Sequence, residues 1–511
     1  MITIPRTCVV FLLLCSIVFK EVACLNILVI FAHPGKSHYD VFKPLFQELG
    51  NRGHNITIIS HVSTEGDIKN GRDVLLSKQA MKHVLDINRF TGSRLQKYLE
   101  AEMIASFAEL TCQSSLESNE FQAFLKEDHR YDVILVELFN SNCFYGLISK
   151  LKAPFIGLSS CAMMAWHPQW FGSPSNPSYI PSIYMAHPVP MDFWQRVENT
   201  LVHLAHKAWY TIFMEYPGSK LSKKYIGYDP VDPYNASLML LNLHHTLHGA
   251  RPLSPSIVEV GGIHVSTRTP QKLPQDIETW SSGAKRGLIY FSLGSLLKGH
   301  TFPTDKLQVF NKVFSELPHR ILWKWENDTM TGKAPNVMIN KWTPQFDILC
   351  HPNTKLFISH GGLLGITEAV HCGVPVLVMP QFGDQPLNAE ALKAQGAGVI
   401  LRLREANYEN LKHALTEALS PRVQEKAKEL SSRFRDRLVP PLDTAVYWVE
   451  HVARYKGARH MRSAAVDMPF YQYLLLDVIA FLLGSVLLLA YVVYRFVRFV
   501  RGGAKPKLKR Q

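Results

Sequence analysis

The sequence predicts an α/β protein made of two similar halves and held to a membrane by one helix near its C-terminus. Three observations predict it: apolar runs of strand length alternating with helical periodicity, a restart of that rhythm after residue 286, and one much longer apolar run near the end. With 511 residues, 47% of them hydrophobic, the chain can bury two separate cores, which excludes a single small binding module.

Residues 1–24 read as a cleaved secretory signal. Arg6 precedes an apolar run over 9–19, too short to span a bilayer, and small residues follow at Ala23 and Cys24. The first domain is expected over 25–265. It opens with the unbroken apolar run 26–32, typical of a parallel strand covered on both faces, then a glycine-containing loop, a helical pattern over 40–52 and a second run over 56–60. That is a βαβ unit. Further strands are expected at 133–136, 155–158 and 258–263, with a helical stretch over 101–126. The segment 166–190 is rich in Pro, Ser, Asn and aromatics and reads as loop.

A polar linker over 266–285 separates the halves. The second domain, 286–455, has expected strands at 288–292, 321–325, 337–340, 356–359 and 375–379, and is purely helical from 407 on. A membrane-proximal segment, 456–472, leads to 22 mostly apolar residues over 473–494, enough at ~1.5 Å per residue to cross ~30 Å of hydrocarbon. Asp477 lies one turn in, within reach of the headgroups. The tail, 495–511, carries seven basic residues and no acid, which predicts a single-pass type I topology with the body lumenal and the tail cytosolic. Those seven charges account for over half of the formal +13, so the basic balance implies no nucleic acid. Lys507 and Lys509, fifth and third from the end, resemble a dilysine retrieval signal and point to the endoplasmic reticulum membrane. Cys112, Cys143, Cys161, Cys350 and Cys372 form an odd, sparse set, read as neither a disulfide framework nor a metal site. Asn55, Asn235 and Asn327 open glycosylation sequons.

The chemistry concentrates between Trp342 and Asn388. A strand ending at Ser359 runs into His360-Gly361-Gly362 and then a helix, and glycines before a helix N-terminus suit a diphosphate. Glu368 is placed to accept two ribose hydroxyls, Trp342 to stack a uracil, and Gln345 to bond its edge. Asp384 and Gln385, after the next strand, can hold sugar hydroxyls. A reaction at such a donor needs a base from the other half, and from spacing alone His33 and His38 are equal candidates.

This constellation resembles the UDP-glycosyltransferase family of animals, particularly its insect branch, over nearly the whole chain. The stretch 342–385 resembles the family signature, and Phe291-Ser292-Leu293-Gly294-Ser295 its donor-domain opening strand, whose Ser295 would contact phosphate. The resemblance implies a GT-B fold of two facing Rossmann-like domains, with the acceptor in the first, the UDP-sugar in the second, and no metal or other cofactor. It implies His38 as general base, with Glu137 as its orienting carboxylate where vertebrate relatives carry Asp. It also implies inverting transfer to small lipophilic acceptors such as xenobiotics, phenolics, steroids or pigments, lined by Trp166, Phe171 and Tyr179. Leu364 departs from the Asn of many relatives. Two other readings compete: an inactive member that binds or carries lipophilic ligands, and an epimerase or hydrolase acting on the UDP-sugar. Loss of His38 or of Asp384-Gln385 would favour the former, and all three are present. Glucose and glucuronate donors differ by one carboxylate, no arginine in the donor stretch reads it, and the insect resemblance tilts towards glucose. The acceptor and any homo-oligomer stay open.

Overall fold

The computed structural model describes residues 24–64, 66–76, 96–139, 142–295 and 297–502, so residues 1–23 of the expected signal (1–24) and the tail beyond 502 lie outside the described residues. Two parallel sheets form the body. The first has seven strands in the order β3-β2-β1-β4-β5-β6-β7: Asn26–Phe31 (β1), Asn55–Ser60 (β2), Gly71–Leu75 (β3), Val133–Glu137 (β4), Phe155–Ser159 (β5), Leu238–Leu241 (β6) and Ile257–Glu259 (β7). The second has six in the order β10-β9-β8-β11-β12-β13: Leu288–Ser292 (β8), Arg320–Lys324 (β9), Val337–Asn340 (β10), Thr354–Ser359 (β11), Val376–Val378 (β12) and Gly398–Ile400 (β13).

The continuous apolar runs arise because both faces of each sheet are covered. In β1, Leu28 and Ile30 enter one core cluster while Ile27, Val29 and Phe31 enter the opposite one, as a period of two requires. In β8, Ile289 and Phe291 face one way, Leu288 and Tyr290 the other. In each sheet the order turns back beside the first strand, at β1/β4 and at β8/β11, and such switch points open a crevice at the carboxyl ends of the strands.

The helices that matter for this crevice are Lys36–Asn51 (α1), Gln96–Leu116 (α2), Gln345–Leu349 (α3), Leu363–Cys372 (α4), Gln385–Ala394 (α5), Pro421–Arg435 (α6), Pro441–Arg454 (α7) and Leu476–Gly502 (α8). α6 packs on the second sheet through Ala427, Leu430 and Phe434. α7 does not follow it. Its stripe Leu442, Ala445, Val446, Val449 and Val452 joins the core cluster of Ile27, Val29 and Phe31, and Glu450 lies 3.5 Å from Arg52. Expected in the second domain, residues 441–454 therefore belong to the first, because that stripe matches a face of the first sheet that α1 covers only in part.

Other expectations shift as well. The strand expected over 258–263 stops at Glu259, because Gly261 and Gly262 turn the chain and Gly262 has a φ of +86°. The apolar C-terminal helix starts at Leu476 and runs to Gly502, beyond the expected end at 494; among the described residues it is the one helix long and apolar enough to cross a membrane. Asn55, Asn235 and Asn327 are all exposed.

The cysteines correct the sequence reading. Cys112–Cys143 and Cys350–Cys372 are disulfide-bonded, with Cα atoms 6.1 and 4.9 Å apart, and the odd count arises because Cys161 is a buried free thiol. The partners stand 31 and 22 residues apart, spacings that carry no signature. Closing such loops restricts the unfolded chain, so replacing Cys112 and Cys143 by serine is expected to cost about 3 kcal/mol and lower the Tm by several degrees, measured by thermal unfolding of the detergent-solubilised protein.

Candidate active site

Three neighbouring strand ends of the first sheet converge on one imidazole. His38 sits in the first turn of α1, after the loop that leaves β1. Its Nδ1 lies 2.8 Å from Oε1 of Glu137, the last residue of β4, and 2.7 Å from Oγ of Ser160, which follows β5. Ser160 donates to the same Glu137 oxygen at 2.9 Å. A carboxylate at Nδ1 holds the ring proton there and leaves Nε2 as the basic nitrogen. Glu137 is buried, and its Oε2 has no hydrogen-bond partner among the described residues.

His33 stacks on His38 at 4.3 Å, and both rings meet Phe139 edge-on at 4.8 and 4.6 Å. Burial holds the His33 pKa far below the ordinary histidine value, helped by the charges of His38 and His61, and its Nδ1 accepts the Gly35 N–H at 3.0 Å. It is thus a neutral packing ring. The ligand atoms of His33, His38 and Glu137 lie within 4.8 Å of one another, close enough to hold a metal ion, but the His38–Glu137 hydrogen bond occupies two of them.

The opposite wall is built from the second sheet. His360, after β11, is packed between two glycines: a Cβ on Gly294 would lie 2.7 Å from its ring, and one on Gly362 2.6 Å. Only glycine admits the ring there, and Gly294 also takes a φ of +82°. Burial and the neighbouring Lys324 charge push His360 down to about 4. It is therefore a neutral donor or acceptor, not a cation, at physiological pH. Gly362 caps α4, whose first N–H groups open towards the crevice. Lys324, at the end of β9, donates to the Gly294 carbonyl at 3.0 Å and to Glu326 at 2.9 Å.

The other expected donor residues gather at the same strand ends. Trp342 is 67% exposed, so its face is free to stack. Gln345 and Glu368 are bonded to each other, Nε2 to Oε2 at 2.6 Å, and Arg268 reaches within 3.9 Å of Glu368. Burial raises the Glu368 pKa to about 7 against the lowering effect of Gln345 and Arg268. Gln385 is buried, and its side-chain oxygen accepts the N–H groups of Gln381 (2.9 Å) and Phe382 (3.2 Å), so it shapes the loop instead of offering that oxygen to a ligand. Asp384 accepts from Asn388 at 2.9 Å; burial raises its pKa, opposed by that bond and by the charge of His38 across the crevice. Ser295 is exposed beside them.

The expected acceptor wall is corrected in part. Trp166 stacks on Tyr210 at 4.4 Å inside the first core, Phe171 is buried in the same cluster, and only Tyr179 is exposed, at 39%. Phe139 lies against the His38 ring instead, while Tyr184 is buried with its hydroxyl towards the Met164 sulfur. Neither carries a motif, so nothing in the sequence singles them out. The same holds for Ser160 and for Glu100, on α2, whose Oε2 accepts the Gly383 N–H at 2.9 Å from the opposite half. Leu364, the departure noted from the sequence, packs on the first core, and its carbonyl lies 3.3 Å from Nε2 of His264.

Residues 28–510 match the family described as UDP-glucoronosyl and UDP-glucosyl transferase. UDP-glycosyltransferase UGT5 of Dactylopius coccus is 39% identical over 93% of this chain and 91% of its own. UDP-glucuronosyltransferase 1A6 of Mus musculus is 31% identical over 90% of this chain and 88% of its own. Among solved structures, the glycotransferase of kitacinnamycin superposes with a TM-score of 0.56 over 84% of this chain and 99% of that one, at 19% identity, which shows a shared GT-B fold.

Glu368 generates a stability prediction. In the folded chain it keeps its proton up to about pH 7, against an ordinary 4.5, so between those values the folded state holds a proton the unfolded state has lost. Stability is complete below that window and falls as pH rises through it. Glu368→Gln removes this loss and is expected to gain on the wild type by up to roughly 3 kcal/mol between pH 5 and 7.5, measured by urea unfolding; parallel curves would contradict it.

Proposed function

The chain belongs to the UDP-glucoronosyl and UDP-glucosyl transferase family, and we propose that it is an inverting enzyme transferring a hexosyl group to the hydroxyl of a small lipophilic acceptor, with His38 as general base. The observation that carries this reading is the imidazole held through Nδ1 by Glu137, on one wall, with the Asp384 carboxyl close enough to feel its charge from the other.

The steps follow from the atoms available. Nε2 of His38 takes the acceptor proton while the acceptor oxygen attacks the anomeric carbon. The bond from that carbon to the diphosphate breaks, its electron pair leaves with UDP, and no covalent enzyme intermediate forms. Glu137 stabilises the imidazolium. The α4 N-terminus and neutral His360 face the charge that develops on the diphosphate, where fixed dipoles act without reorganisation. Trp342 is free to stack the uracil, Glu368 and Gln345 bind ribose and base edge once they part, Ser295 contacts phosphate, and Asp384 holds sugar hydroxyls. No metal or other cofactor enters the scheme.

The remaining assignments rest on chain organisation. A single apolar helix followed by Arg495, Arg498 and Arg501, and exposed sequons on the body, support a lumenal body anchored in the endoplasmic reticulum membrane with a cytosolic tail. An anchored site suits acceptors that partition into lipid, such as phenols and steroids.

The test is UDP release from detergent-solubilised protein, given UDP-glucose or UDP-glucuronate with and without phenols and steroids. Release should depend on acceptor. His38→Ala should lower kcat by about 10²- to 10⁴-fold with little change in the donor KM. Donor binding without turnover by the wild type would favour a ligand carrier. Glu137→Gln keeps the shape but not the charge, and is expected to lower kcat by about 10- to 10³-fold while folding normally by circular dichroism.

A further inference from the structure

The corner of the crevice that takes the sugar is acidic. Asp384 opens α5, Glu137 lies behind His38, and Glu100 reaches over from α2 to bond Gly383, the residue before Asp384. The Gly383 N–H thus holds the Glu100 carboxyl beside the Asp384 loop, and burial, with Cys161, Glu100 and Asp384, raises the phenol pKa of Tyr184, as burial, with Asp384 and Glu137, raises that of the Cys161 thiol. Burial raises the Asp384 pKa, opposed by Asn388 and His38, and burial raises that of Glu100, opposed by the Gly383 N–H. The cationic Lys324 serves the diphosphate side, beside His360 and Gly294.

We propose that Glu100 is a specificity-determining residue that selects a donor whose sugar is uncharged, the UDP-glucose class, over one that carries a carboxylate, the UDP-glucuronate class. The inference rests on the transferase reading above and gives a role to a residue from the acceptor half. A sugar carboxylate entering this corner meets like charge, and among the described residues no arginine or lysine is paired with Glu100 or Asp384. Glu100 is well placed for this because the Gly383 N–H fixes one of its oxygens at the loop itself.

The size of the effect has a ceiling set by Glu100. Burial raises its pKa to about 7, partly offset by the Gly383 N–H. An anionic sugar is therefore admitted if Glu100 takes up a proton, which costs about tenfold for each pH unit above that value and nothing below it. Discrimination must grow with pH. Among the described residues, the other groups near this corner are Asp384 on the loop, His38 beyond it, and Cys161 and Tyr184, which burial keeps neutral; a Glu100 variant leaves them in place, so they cancel in a comparison.

The experiment measures kcat/KM for UDP-glucose and UDP-glucuronate in one preparation with one phenolic acceptor, from pH 6 to pH 8, for wild type and Glu100→Gln. The amide oxygen still accepts the Gly383 N–H, so this change removes charge and keeps the contact. The wild-type preference for UDP-glucose should be about tenfold greater at pH 8 than at pH 6, and Glu100→Gln should lose that increase. The wild-type profile needs no variant, and each ratio is independent of the folded fraction. A preference that stays flat with pH in the wild type, one that is equal in wild type and variant at pH 8, or a wild type that prefers UDP-glucuronate would overturn the inference while leaving the transferase intact. A wild type that turns over neither donor would remove the transferase reading and this inference with it.

Discussion

Everything at the crevice depends on two separately built sheets presenting their carboxyl edges to each other. Each sheet supplies only half of a site, and half-sites do nothing alone. The chain solves this by crossing back. It leaves the second core at Phe434, whose ring fills the space beside Gly262, and Arg437 donates to the Gly261 carbonyl at 2.9 Å before α7 lies down on the first sheet. Polar contacts then close the gap along its length: His248 with Asn388 at 3.1 Å, His264 with the Leu364 carbonyl, and Glu100 with Gly383. Asn388 also donates to the Gly361 carbonyl and to Asp384, so one side chain ties the interface to both the glycine turn and the sugar loop.

The charges are divided between the walls in a way that suits one direction of electron flow. The wall of the first sheet holds an imidazole with a carboxylate behind it, which favours taking up a proton. The donor wall holds a helix N-terminus, a neutral imidazole and Lys324, which favour accumulation of negative charge on a leaving group. Three buried acids near the crevice, Glu100, Glu368 and Asp384, have pKa values raised by burial. Their oxygens are acceptors suited to a ligand with many hydroxyl donors.

What the sequence made legible follows from how local each signal is. The central strands were readable because burial on both faces forces long apolar runs, as in 26–31 and 288–292. The strand–turn–helix that holds His360, its glycines and Glu368 was readable because backbone geometry there dictates residue type. The edge strand at Gly71–Leu75 was not, since its exposed, charged residues break the apolar pattern. Choosing His38 over His33 needed the family resemblance; in the structure the two are told apart by a carboxylate 99 residues away. The disulfides, α7 on the first sheet, Ser160 and Glu100 share that difficulty: each depends on a partner far along the chain, and one sequence carries no trace of such pairings. Trp166 and Phe171 illustrate the converse, because an aromatic loop reads the same whether it faces a ligand or a core.

The central claim is that His38 and the donor's anomeric carbon face each other across this crevice. An experimental structure of the protein with an unreactive UDP-sugar analogue and a bound phenol tests it most directly. The account predicts the phenol oxygen hydrogen-bonded to Nε2 of His38 and about 3–3.5 Å from the anomeric carbon, with the diphosphate at the N-terminus of α4. A phenol oxygen held away from His38, or a diphosphate bound anywhere but beside His360 and Gly362, would contradict it.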